Sequence, residues 1–292
     1  MPTPAFDVIV CGSLHLDVMV YAASLPRLDE TTVGKRWAQQ CGGKGGNQAA
    51  MAARAGGRTA MIGRVGDDDF GRRLLSHLEA ARVDPRAVLI DAAAGSGMSV
   101  AIVRDDGEYG AVIVSGANLN IEPPVAAHAW AQIGGARVLV LQNEIPDATN
   151  AAVAEAARAD GAMVILNAAP ARDLPPALRA AADILIVNRV EAEMMSGESV
   201  RDEADARSVS ARLGARHANV IVTLGGDGLF VKTADGAIFR IAPKPVKAVS
   251  THGAGDCFVG SLAAKLAQGG VLIEAAEFAN AAAAAHVSRD CA

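Results

Sequence analysis

Six short, apolar, β-branched runs recur along the chain with helix-patterned segments between them, and no other feature limits the fold as much. The runs are Asp7–Cys11, Thr59–Val65, Arg137–Leu141, Ala162–Asn167, Asp183–Val187 and Asn219–Leu224. Between them, Asn47–Ala55, Phe70–Ala81, Asp147–Ala159 and Asp202–Arg216 carry apolar residues at helical spacing, with Asp147 and Asp202 suited to cap the last two. Strands alternating with helices in this way imply a mostly parallel sheet covered on both faces. The expected architecture is a single three-layer α/β/α domain spanning 1–292. Hydrophobic residues make up 51% of the chain, enough to build such a core without disulfides or metals.

Two segments break the rhythm. Residues Leu14–Gln39 contain strand-like pieces, Leu16–Tyr21 and Thr31–Trp37, around a Pro-Arg-Leu-Asp-Glu turn. Residues Gly97–Gly116 form a hairpin pattern, Met98–Val103 with Tyr109–Val114, turning at Asp105-Asp106-Gly107. Both leave the end of a core strand and return to it, so the insertions at about 14–39 and 97–116 are expected to build one small sheet covering a site. A third hairpin, Gly228–Thr233 with Ala237–Ile241, should edge the main sheet. Two Ala-rich helices, Ala254–Gln268 and Leu272–Ser288, follow it.

Several function classes are disfavoured. The net charge is −5 and no long basic run occurs, which argues against nucleic acid. No apolar stretch reaches the roughly 18–20 residues needed to span a bilayer, and the N-terminus lacks the basic region of a secretory signal. Cys11, Cys41, Cys257 and Cys291 have no metal-binding spacing, consistent with a reduced, cytoplasmic protein without membrane partners.

The chemistry concentrates in three places. Thr251-His252-Gly253-Ala254-Gly255-Asp256 opens a helix, where glycines permit close approach and free N–H groups favour an anion. Asp256 in the first turn is favoured in its ionised form by the helix dipole. A carboxylate beside an anion hole suits phosphoryl transfer, taking the proton of a hydroxyl as backbone dipoles hold the phosphate. Taken alone, the same residues also make an ordinary glycine turn with an acidic helix start. Gly42-Gly43-Lys44-Gly45-Gly46-Asn47 also precedes a helix, with Asn47 placed to cap it or to bond a sugar hydroxyl. It is no Walker loop, since Gly45 follows Lys44, and no stretch satisfies the dinucleotide G-x-G-x-x-G pattern.

Asn188 and Glu191 follow a strand directly, at the sheet edge where ligands bind. Glu191 could hold Mg²⁺ through water, or the pair could simply cap a helix. Asp17 and Glu144 also fall just past predicted strands, and each could accept hydrogen bonds from sugar hydroxyls or equally be an ordinary exposed acid. Thr223-Leu224-Gly225-Gly226-Asp227-Gly228 offers backbone amides after another. Asp67-Asp68-Asp69 is read as a solvated turn and helix cap, and His15 as no more than a substrate contact.

In this order, Gly12-Ser13…Asp17, Gly42–Asn47, Gly66-Asp67-Asp68, Gly116-Ala117-Asn118, Glu144, Asn167…Pro170, Asn188…Glu191, Thr223-Leu224-Gly225 and Gly253–Asp256 closely resemble the ribokinase-like (PfkB) carbohydrate kinases over nearly the whole chain. The resemblance implies an ATP- and Mg²⁺-dependent kinase acting on a primary hydroxyl of a sugar, foremost D-ribose to ribose 5-phosphate. It implies that the small sheet is a lid that pairs in a homodimer. By the same resemblance Asp17, His15, Gly43, Lys44, Asn47 and Glu144 meet the sugar. Asn188, Thr223, Gly225, Gly226, Gly228 and Asn280 line the nucleotide side, with Glu191 toward Mg²⁺. Gly253, Ala254 and Gly255 form the anion hole, and Asp256 is the base. Three departures stand out. His15 replaces a family Asn that touches ribose, so another sugar or a nucleoside is the alternative substrate. Ser250, beside Thr251, replaces an Asp that helps bind activating potassium. The sequence ends at Ala292, where relatives continue into a loop completing that ion site, so potassium activation is not expected. A non-catalytic sugar or nucleotide sensor is the contrasting reading.

Overall fold

The computed structural model describes residues 4–288 apart from 107 and 248. Strand β1 (Phe6–Cys11) is followed by β2 (His15–Tyr21), β3 (Arg36–Gly42) and helix α1 (Lys44–Arg54). Then come β4 (Thr59–Gly66), α2 (Asp69–Ala80), β5 (Val83–Asp91), β6 (Gly97–Val103) and β7 (Tyr109–Val114). A 3-10 turn at Gly116–Asn120 leads into α3 (Pro123–Gln132), β8 (Ala136–Gln142), α4 (Asp147–Ala159) and β9 (Met163–Asn167). Next are α5 (Pro176–Ala181), β10 (Ile184–Asn188), α6 (Arg189–Ser196), α7 (Glu203–Gly214) and β11 (Asn219–Thr223). The hairpin of β12 (Leu229–Lys232) and β13 (Ile238–Ile241), then α8 (Ala254–Ala267) and α9 (Leu272–Val287), complete the described chain.

Nine strands form the main sheet in the order β13-β12-β11-β10-β9-β8-β1-β4-β5. Pairings from β11 to β5 are parallel, and β12 and β13 add an antiparallel edge. Side-chain alternation explains why helices cover both faces. In β1, Val8 and Val10 join one buried cluster with Ala49 of α1, Leu262 of α8 and Ala275 of α9. Ile9 and Cys11 join the other, with Trp130 of α3, Val153 of α4 and Val209 of α7. Each fully buried Ile, Val or Leu contributes about 1.5–3 kcal/mol of transfer free energy. A one-residue slip would exchange the two faces, so the register is strongly specified.

The expected three-layer fold is present, with local differences. β5 was not anticipated; its Pro85 is tolerated because β5 is the last strand of the sheet. β3 occupies 36–42 rather than Thr31–Trp37, because its pairing with β2 sets Arg36 opposite Tyr21 and Gly42 opposite His15. Asp202 caps α7 by accepting from the Asp205 N–H. Asp147, by contrast, is the first residue of α4 after Pro146, and pairs with Arg172 at 2.6 Å. Asp68 caps α2 through the Gly71 N–H, as the turn-and-cap reading expects.

The two insertions join in a separate four-stranded sheet, β3-β2-β6-β7, in which β2 and β6 run parallel and the outer pairs antiparallel. Of the expected hairpin turn, Gly107 lies outside the described residues. Buried Asn118 fixes where this sheet leaves the core. Its Oδ1 accepts from the Leu14 N–H (2.8 Å), and its Nδ2 donates to the Leu14 carbonyl (2.9 Å).

Candidate active site

The C-terminal ends of β10 and β11, the start of α1 and the start of α8 meet around a cavity of about 270 Å³. Lys44, Asn188, Glu191, Thr223, Thr251 and the run Gly253–Asp256 line it. These residues come from four separated parts of the sequence and converge because parallel strands present their ends on one edge.

α8 is entered through Gly253 at its cap position, whose φ of 72° lies in the left-handed region. No side chain caps this helix; the Ala254 N–H turns back on the Thr251 carbonyl at 3.3 Å, which leaves the start of the helix without a side-chain acceptor. Gly255 in this turn has open space where a Cβ would stand. Nothing in the fold therefore demands glycine there, and its backbone is open to close approach.

Asp256 is held from both sides by Asn47, the last residue of the second glycine-rich segment, and by Gln48, which follows it. Asn47 Nδ2 donates to its Oδ2 at 3.0 Å, and Gln48 Nε2 donates to its Oδ1 at 2.9 Å. Burial pushes the Asp256 carboxyl above the ordinary carboxylate range. The two amide donors and the charge of Lys44 act against that rise without cancelling it. Desolvation of this carboxylate outweighs the stabilising groups around it. A base with a raised pKa is better matched to taking a proton near neutral pH.

Asn47 does not cap α1, since the helix already begins at Lys44 with Gly43 (φ 84°) at its cap position. Its side chain is thereby freed for Asp256. Gln48, which sequence reasoning missed, is fully buried and links three elements. It also donates to Asn167 Oδ1 (3.0 Å) and accepts from Gln142 Nε2 (2.8 Å). The only signal in the sequence was a polar residue on the apolar side of an Ala-rich helix.

A second group lies beyond Lys44. Glu144 accepts from Ser13 Oγ (2.5 Å) and from the Lys44 backbone N–H (3.0 Å), with Lys44 Nζ at 3.8 Å. Asp17, on β2, accepts from Ser99 Oγ of β6 at 2.5 Å. His15 is buried, and its Nε2 has no partner among the described residues. Burial lowers its pKa, opposed by Glu144 and Asp17, so its ring is neutral at physiological pH. A neutral imidazole with an unmet nitrogen beside two carboxylates is suited to bond hydroxyl groups.

Asn188 and Glu191 form the capping box of α6, the Asn188 side chain accepting from the Glu191 N–H and Glu191 accepting from the Asn188 N–H. The capping alternative is thus realised, while both residues still line the cavity. Burial raises the pKa of Glu191. Among the described residues no cluster of three acidic, His or Cys side chains forms a protein metal cage. Mg²⁺ usually keeps its waters and takes one or two carboxylates beside substrate phosphates, a donor set that Glu191 fits.

The other expected nucleotide residues lie outside this lining. Gly225, Gly226 and Gly228 form the turn between β11 and β12, and a Cβ on Gly228 would meet the Ile241 carbonyl at 2.3 Å. Asn280 donates to the Ala242 carbonyl from α9 at 2.8 Å. Ser250 Oγ accepts from the His252 N–H at 3.3 Å, next to Thr251 in the lining.

The family model described as pfkB family carbohydrate kinase matches residues 5–291. Mouse ribokinase is 35% identical, covering 90% of this chain and 82% of its own length. Ribokinase of Bacillus subtilis is 34% identical, covering 96% of this chain and 92% of its own. The structure of Arabidopsis thaliana ribokinase complexed with ribose and ATP superposes with a TM-score of 0.90 at 28% identity, covering 100% of this chain and 95% of that chain. The chain belongs to the pfkB family of carbohydrate kinases, phosphotransferases that use an alcohol group as acceptor. Among its described residues no helix is long and apolar enough to cross a membrane.

Proposed function

We propose that this protein transfers the γ-phosphoryl group of ATP to the primary hydroxyl of D-ribose, giving ribose 5-phosphate. The observation that carries the reading is Asp256, a buried carboxylate with a raised pKa, fixed by Asn47 and Gln48 at the open start of α8. Asp256 takes the hydroxyl proton as the oxygen attacks the phosphorus. The N–H groups at Gly253–Asp256 and the Lys44 ammonium hold the charge that spreads onto the transferred group. Mg²⁺, when bound, would neutralise phosphate charge on the side lined by Glu191. Asn188 and Thr223 face the nucleotide from the same edge.

His15, Asp17 and Glu144 then bind the hydroxyls of the sugar, between the core and the four-stranded sheet. That sheet acts as a lid that excludes water, and its outer face pairs with a second copy of the chain. Exposed Trp37, Val112, Ile113 and Val114 on β3 and β7 support such pairing. His15 favours a second reading, in which another pentose or a nucleoside fills the same place.

A coupled assay of ADP release, run with Mg-ATP against ribose, other pentoses, hexoses and nucleosides, tests the proposal. Release that depends on ribose is expected, with little change on adding potassium. Faster release with a different acceptor would replace ribose as the substrate. No release with any acceptor from folded protein would favour the sensor reading.

A further inference from the structure

A second cavity, of about 280 Å³, lies at the opposite end of α6, bordered by α5 and the end of α7. Its lining carries four guanidiniums, Arg172, Arg179, Arg212 and Arg216, against one described carboxylate, exposed Asp173. Two of the four are engaged elsewhere: Arg172 pairs with Asp147 and Arg212 with Glu198, each at 2.6 Å. Arg179 bonds only a neutral group, the Leu174 carbonyl at 3.0 Å, and neither it nor Arg216 has an ion-pair partner among the described residues.

His217 stands with them. It is 7% exposed, and its Nδ1 is buried with no hydrogen-bond partner among the described residues. Burial first, and then the charges of Arg179 and Arg216, push its imidazole down to about 4, so both guanidiniums act on this one ring. A buried polar nitrogen left unmet is costly, and the two cations beside it lack a counter-charge. One anion would satisfy all three groups. The cavity is also larger than an oxyanion alone requires, with Leu174, Met194 and Leu213 in its walls.

We propose that this cavity binds a small phosphomonoester, its phosphate held by Arg179, Arg216 and the His217 Nδ1–H. Guanidinium geometry matches phosphate oxygens in paired hydrogen bonds. The site is separate from the active site and does not depend on the sugar the kinase uses. Two short segments nevertheless run between them. Ala169 lines the active-site cavity and Ala171–Leu174 the second one, while α6 runs from its cap Asn188, in the first lining, to Met194–Ser196, in the second.

The test follows the His217 ring by NMR, its signal assigned by loss in His217→Gln, at constant ionic strength made up with chloride. Inorganic phosphate and glycerol 3-phosphate are titrated separately. Saturable movement of the His217 signal is expected, with its titration midpoint rising because a bound anion favours the imidazolium. Tighter binding of the ester than of free phosphate would assign a role to the apolar walls; equal binding would reduce the ligand to the phosphate group. The double variant Arg179→Gln/Arg216→Gln should weaken the apparent affinity at least tenfold while basal turnover stays unchanged, which also certifies its fold. The proposal is overturned if chloride alone reproduces the shift, if neither phosphate moves the signal, or if the double variant responds like the parent. It is likewise overturned if only the signals of Gly253 and Gly255 move, which would place the anion in the active site.

Discussion

Gln48 donates to Oδ1 of Asp256 at 2.9 Å while its own carbonyl accepts from Gln142, so its amide cannot turn over. That fixed orientation ties the position of Asp256, the proposed base, back to the end of β8. Asn47 holds the other oxygen from the same turn of α1. Two adjacent residues near the start of α1 thus fix the orientation of a carboxylate some 200 residues away in the sequence, and oppose the pKa rise that its burial causes.

Gln48→Leu should expose this dependence. Gln142 Nε2, Asn167 Oδ1 and Asp256 Oδ1 would each lose a buried partner, costing about 1–3 kcal/mol of stability. Loss of a donor to the ionised form raises the Asp256 pKa further. Since the base works only when deprotonated, the acid limb of the kcat/KM profile should move to higher pH. An unmoved limb would separate Gln48 from the chemistry.

Asp256→Asn should lower kcat by about 10²–10⁴-fold, the usual contribution of a general base, while sugar binding measured by calorimetry changes little. The same variant has a stability signature. Burial raises the folded pKa of Asp256, so the folded state binds more protons than the unfolded one between the two pKa values. Stability conferred by this group is full below the unfolded pKa and is lost as pH rises through that window. The parent should therefore lose ground to Asp256→Asn, in thermal melts, as pH rises from about 4. Asn47 can rotate its amide to meet the new NH₂.

Gly255→Ala separates folding from ligand approach. An added Cβ would meet nothing within 4 Å, and its φ is not in the left-handed region. In a helix Ala is favoured over Gly by up to about 1 kcal/mol. Melting temperature should hold or rise, while KM for ATP increases and kcat falls. By contrast, Gly45→Ala would set a Cβ 2.6 Å from the Ser13 backbone nitrogen, and should destabilise the fold itself.

Asp17→Asn should raise the sugar KM with little effect on KM for ATP, because Asp17 sits on β2 beyond Glu144 and outside the nucleotide-side cavity. Ser99→Ala should produce a milder change in the same direction, through loss of the hydroxyl that orients Asp17 at 2.5 Å. Equal changes in both KM values would argue that the small sheet does not carry the sugar subsite.

Much of this was legible in the chain because it depends on local chemistry. β1, β8, β9, β10 and β11 announce themselves as apolar runs, since strands buried on both faces have no polar side to show. Gly253–Asp256 and Gly42–Asn47 stand out as dense glycine turns at helix starts, and such marks survive without knowledge of the partner. β5 was hidden because its Pro85 and charged residues suit an edge position, which only neighbours define. The register of β3 was hidden because strand bounds follow the partner, here β2.

The sequence by itself determined the layered α/β/α class, the glycine turns at both helix starts and the presence of an acid, Asp256, at a helix N-terminus. Tertiary structure alone decided what that acid is. Burial sets Asp256 above the ordinary carboxylate range, and Gln48, Gln142 and Asn167 reach it only through the meeting of α1, β8, β9 and α8. Desolvation and hydrogen-bond direction are properties of surroundings, and surroundings assembled from residues far apart in the chain leave no local pattern to read.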